Sequence, residues 1–220
     1  MTAICRINLT AIASALSQVQ REFPRINASL TTSRDPLTDE VVANMLSAYR
    51  RVDEYLAADI DLFEMGQSER LLELNTLVLC GCGGERLECR KGTSGANEQY
   101  FYETEDGGVG ALMEWLDLHR NDSVWKRAAG VFTRVLSRPQ LYMEGNHRTG
   151  TLLMSYLLAR EGRPPFVLTV DNARLFFEPA TLIKKRKKHG LDNLFRLPKL
   201  TKRVARLIED QADHHFLVRH

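Results

Sequence analysis

Residues 124–160, VWKRAAGVFTRVLSRPQLYMEGNHRTGTLLMSYLLAR, decide how this chain folds. In the first half Val124, Ala128, Val131, Phe132, Val135 and Leu136 recur three or four apart, which predicts a helix with one buried side, and Pro139 stops it. The second half, TLLMSYLLA, is apolar nearly all round and predicts a helix at the centre of a bundle, closed by Gly162 and Pro164-Pro165. Between them, residues 140–150 read QLYMEGNHRTG. A glycine followed by Asn, His and Arg at the start of a buried helix has the chemistry of an anion cradle: unpaired N–H groups, the positive end of the helix dipole, and a forked guanidinium. The place where a general base would stand holds Gln140, an amide that neither accepts nor releases a proton at neutral pH.

Working outward, the periodicity stays helical. Val42, Met45, Leu46, Tyr49, Val52, Leu56 and Ile60 predict one amphipathic helix from about Thr38 to Phe63. An earlier helix is expected over Thr10 to Glu22, ending before Pro24, and another over Arg70 to Leu79, closed by the glycines of CGCGG. Strand character is confined to Tyr100, Phe101, Tyr102, Glu103 and Thr104, aromatic-rich residues between the glycine-bearing stretches GTSGAN and EDGGVG, which predict a short hairpin or extended flap. Helix resumes in ALMEWLDLHR. The fold expected is all-α, a single domain with N-terminal helices over 1–65, a core over about 66–180 and a basic C-terminal helical segment over 181–220.

Composition agrees with one soluble core. The chain has 220 residues, 44% of them apolar, and no uninterrupted apolar run reaches the length of a membrane span. The N-terminal stretch lacks the layout of a signal peptide, so a cytoplasmic protein is expected, or one exported without such a signal. Four cysteines, Cys5, Cys80, Cys82 and Cys89, fit a reducing compartment, and their spacing matches no common zinc site. The net charge of +2 conceals an asymmetry: residues 181–220 carry +7 and residues 1–180 carry −5. The run KKRKKH (184–189), with Arg196, Lys199, Lys202, Arg203 and Arg206 on a final helix, is where a polyanion or acidic partner would be met.

The central stretch resembles the Fic family (Fic/Doc, or Fido, fold), whose signature is H-x-F-x-(D/E)-G-N-G-R-x-x-R. Gln140 stands at the histidine and Tyr142 at the aromatic, while Glu144, Gly145, Asn146 and Arg148 match. ALMEWLDLHR, RTGTLLMSYLLAREGRPP and, upstream, LLELNTLVLCG followed by Arg86 or Arg90 are similar to further family segments, so the resemblance spans roughly Leu71 to Pro165. It implies a helical core with a β-hairpin flap, and transfer of a nucleotidyl group, commonly AMP from ATP, onto a protein hydroxyl. It further implies magnesium on Glu144, phosphates cradled by Gly145, Asn146, His147, Arg148 and the residue at 151, and a protein target aligned along Tyr100–Thr104.

Three departures bear on that activity. Gln140 lacks the base, a loss worth a factor of ~10²–10⁴ in rate. Thr151 replaces the second arginine, removing a cation for the far phosphate. His147 replaces the second glycine and offers an imidazole, either as a phosphate contact or as a relocated base. Two readings follow: a transferase of altered mechanism, or a catalytically inactive Fic-like protein that binds a phosphate-bearing ligand or a partner.

Overall fold

A computed structural model describes residues 5–82, 86–104, 107–188 and 193–219. Among them are nine α-helices: α1 (Leu9–Ala28), α2 (Asp39–Ala57), α3 (Ser68–Cys80), α4 (Arg86–Glu103), α5 (Val109–Leu118), α6 (Val124–Leu136), α7 (Asn146–Arg160), α8 (Ala173–Lys184) and α9 (Asn193–Asp210). Two short strands, β1 (Cys5–Ile7) and β2 (Leu217–Arg219), pair antiparallel with Ile7 opposite Leu217. The fold is therefore all-α with a small two-stranded sheet that joins the two ends of the described chain.

Helix α7 is the axis of the bundle. Its residues Thr149 through Ala159 are all buried, and it packs on α6, α2 and α3. Helix α6 buries the side its periodicity marked, from Val124 to Leu136, and Ser123 caps it by accepting from the Lys126 N–H. Close approach of α5 to α6 depends on Gly130, where a Cβ would fall 1.8 Å from the Trp115 ring. Asp53, buried on α2, accepts from the Ile7 N–H (2.9 Å) and from Arg6 Nε (2.8 Å), which ties the terminal sheet to the bundle.

Three expectations need correction. Residues 99–103 close α4 instead of forming a strand. Tertiary contacts override the two glycines of GTSGAN, which cost about 1 kcal/mol each in a helix. Asn97 donates to Asn75 Oδ1 (3.0 Å) and accepts from the Met143 N–H (3.0 Å), while Phe101, one turn on, is fully buried and stacked 5.3 Å from Tyr142. Helix α1 runs through Pro24 to Ala28, because Phe23 and Ile26 are both buried in the core. Helix α2 starts where expected, capped by Thr38, but ends at Ala57. The chain then turns through Asp59, at φ 52°, so that Leu62 is buried and its N–H donates to Tyr156 Oη (3.1 Å).

Cys80 is disulfide-bonded, which departs from the expectation of four thiols. Cys89 lies outside the described side chains. Among the described residues no helix is long and apolar enough to cross a membrane.

Candidate functional site

The motif loop is built from its own side chains. Gly145 caps α7 in the left-handed region at φ 72°, and a Cβ there would fall 2.8 Å from Asn75 Nδ2. That Asn75 amide donates to the Glu144 carbonyl (3.0 Å) and to Thr149 Oγ (3.0 Å), so it fixes both sides of the turn. Asn146 closes the loop on itself: its Oδ1 accepts from the Tyr142 N–H (2.9 Å) and its Nδ2 donates to the Tyr142 carbonyl (2.6 Å). Gln140 donates to the Leu136 carbonyl (3.1 Å) at the end of α6. The side chains at 140 and 146 are thus occupied in holding the turn between α6 and α7.

The next residues face elsewhere. His147, Arg148 and Thr151 line a cavity of about 520 Å³ between the α1–α2 loop, α2, α7 and α8. The same wall receives Arg34, Arg138, Lys184 and Lys185, against a single carboxylate, Asp35. Five Lys or Arg side chains against one acid make the lining cationic. Gln140, Glu144, Gly145 and Tyr100–Thr104 are not on this wall.

Arg34 was not singled out by its sequence, TTSRDP, which carries no periodicity. It is placed by the last turn of α1: Asn27 Oδ1 accepts from the Arg34 N–H (2.8 Å) and Asn27 Nδ2 donates to the Arg34 carbonyl (3.0 Å). The guanidinium lies over the Phe177 ring, 4.3 Å from its centroid, and one terminal nitrogen donates to the Phe177 carbonyl (3.1 Å) and Thr181 Oγ (2.9 Å). Its Nε is buried without a hydrogen-bond partner among the described residues. Burial holds the Arg34 pKa below its ordinary value, opposed by the more distant Glu178.

His147 faces this guanidinium, its Nε2 3.4 Å from both terminal nitrogens, and its ring is enclosed by Phe132, Phe176 and Phe177. Burial first, then the charges of Arg34 and Lys184, push its pKa well below the usual imidazole value, so the ring is neutral. Since a guanidinium only donates, Nε2 is the acceptor and Nδ1 carries the proton. The lone pair a base would need is directed at Arg34. Arg148 donates to the Val78 carbonyl at the end of α3, and burial lowers its pKa against the influence of Glu144 and Glu40. Thr151 donates to the His147 carbonyl one turn back (2.9 Å).

Glu144 is exposed, and among the described residues no group of three or more His, Cys, Asp or Glu is placed to hold a metal ion, so a magnesium ion there would need ligand oxygens besides this one carboxylate. Tyr100–Glu103, being helical, presents no strand edge to a target. Lys184 and Lys185 are exposed and line the cavity, whereas Arg196, Lys199, Lys202, Arg203 and Arg206 are exposed along α9, away from it. The chain matches no protein-family model and no curated protein.

Proposed function

We propose that this protein is a Fic-like binding protein for a phosphate-bearing ligand, held in the cavity between α7, α8 and the α1–α2 loop and not chemically transferred. The observation that carries the reading is that Arg34, Arg138, Arg148, Lys184 and Lys185 all line one open cleft of about 520 Å³, within the range of small-molecule sites. Transfer onto a hydroxyl needs a base, and Gln140 cannot be one. The neutral His147 accepts from Arg34, so it serves as an orienting group for that guanidinium. The α9 cations offer a polyanion or acidic partner a face separate from the cavity.

Calorimetric titration with inorganic phosphate, pyrophosphate, AMP, ADP and ATP, with and without magnesium, tests the proposal. At least one should bind without needing magnesium, and Arg34→Met should weaken it by ~10-fold or more, as for loss of a charge-assisted hydrogen bond. Absence of binding by every one of them would remove the reading.

A further inference from the structure

Beyond its cations the cavity is mostly apolar. Leu16 and Phe23 from α1, Met45 and Tyr49 from α2, and Phe176 and Phe177 from α8 form its helical wall, while Thr32, Ser33 and Asp35 line it from the α1–α2 loop. Three hydroxyls on the helical wall have their protons committed. Tyr49 Oη donates to the Phe166 carbonyl (3.2 Å), Thr151 Oγ to the His147 carbonyl (2.9 Å), and Thr181 Oγ to the Phe177 carbonyl (2.9 Å). A nucleoside placed against this helical wall would leave the acceptor atoms of its base without a hydroxyl donor, which is costly. An apolar group would lose nothing there and would gain the burial of its surface.

We infer that the ligand is an organic phosphate whose body is alkyl or aryl, with its phosphate at Arg34 and Lys184 and its apolar part against Phe23, Met45 and Tyr49. This inference rests on the phosphate-binding reading and narrows it. The phosphate end is fixed by the Arg34 guanidinium, which is oriented by Thr181, the Phe177 carbonyl and His147. Chain length should register in the affinity, because each methylene buried multiplies it by about fourfold.

The test is calorimetry on the full chain with butyl, hexyl and octyl phosphate, 1-naphthyl phosphate, AMP and inorganic phosphate. Affinity should rise by at least ~10-fold from butyl to octyl phosphate, and octyl or naphthyl phosphate should exceed AMP. The tighter of those two identifies the body as alkyl or aryl. Met45→Gln, with its fold checked by circular dichroism, should flatten the chain-length gain. Arg34→Met should weaken every phosphate in the series. If AMP binds tighter than octyl phosphate, or chain length has no effect, the inference fails while phosphate binding stands. If octyl phosphate binds equally well to Arg34→Met, its uptake is adsorption through the chain alone and the inference also fails. If none binds, inorganic phosphate included, the phosphate-binding reading falls and takes the inference with it.

Discussion

Nε2 of His147 lies 3.4 Å from both terminal nitrogens of Arg34, a contact between residues 113 positions apart that brings the start of the central helix against the loop between α1 and α2. It couples a neutral imidazole to an arginine that no carboxylate neutralises directly among the described residues. Its first consequence concerns pH. The folded-state pKa of His147 is depressed, so below the ordinary histidine value the unfolded chain takes up a proton that the folded chain refuses. This residue's contribution to stability is therefore whole above about pH 6.5 and is lost as pH falls below it. Thermal denaturation from pH 7.5 to 5.5 should show a falling Tm, with a slope from this group of up to about 1.4 kcal/mol per pH unit. In His147→Phe that part of the slope should vanish; an unchanged slope would mean that the imidazole is not held neutral.

Asn146, though it matches a family position associated with phosphates, is engaged here in closing the Tyr142–Asn146 turn. Replacing it with Ala leaves a buried N–H and a buried carbonyl of Tyr142 unpaired, at a cost of about 2–4 kcal/mol. Gln140→Ala removes one bond at a half-buried site and should cost less than about 1 kcal/mol. Urea denaturation of the two variants separates these roles; equal effects would contradict the geometry.

The glycines divide in the same way. Gly145→Ala forces a side chain into the left-handed region and against Asn75, whose amide holds the Glu144 carbonyl and Thr149, so a loss of about 2 kcal/mol or more is expected. Gly110→Ala, on α5 with open space around its Cβ position, should stabilise by about 0.5–1 kcal/mol. Opposite signs in Tm are the expected result, and a destabilised Gly110→Ala would show that α5 is constrained at that point.

Much of the frame was legible in the sequence because it depends on local periodicity. The α6 stripe, the all-round apolar α7 and the capped start of α2 each follow from spacing within one element. Helix α4 was not legible, since its two glycines and its aromatic cluster argue locally for a turn and a strand. What makes it a helix is Asn97 and Phe101 meeting Asn75, Met143 and Tyr142 from other elements. The cavity was legible only in part, through His147, Arg148 and Thr151 and through Lys184 and Lys185 at the start of the basic run. Arg34 lies in an aperiodic polar loop, and the Asn27 clasp that orients it belongs to the stretch of α1 that the rule against interior proline had excluded.

Restoring the missing base should not restore transfer. Gln140→His supplies an imidazole at position 140, yet residues 100–103 are helical and give a target no strand edge. Incubation of that variant with labelled ATP and magnesium should leave the protein unlabelled. Labelling that depends on the new histidine would mean that the transfer machinery is otherwise intact and that binding alone is too narrow a description.

The central claim is that a phosphate-bearing ligand enters the cavity and meets Arg34. It is tested most directly by nuclear magnetic resonance of the Arg34 Nε–H and the His147 ring nitrogens during titration with octyl phosphate. The account predicts saturable shifts at both residues, with smaller or no changes along the exposed α9 face at Lys199, Lys202 and Arg206. Shifts confined to α9, or none at Arg34 and His147 at saturating ligand, would contradict it.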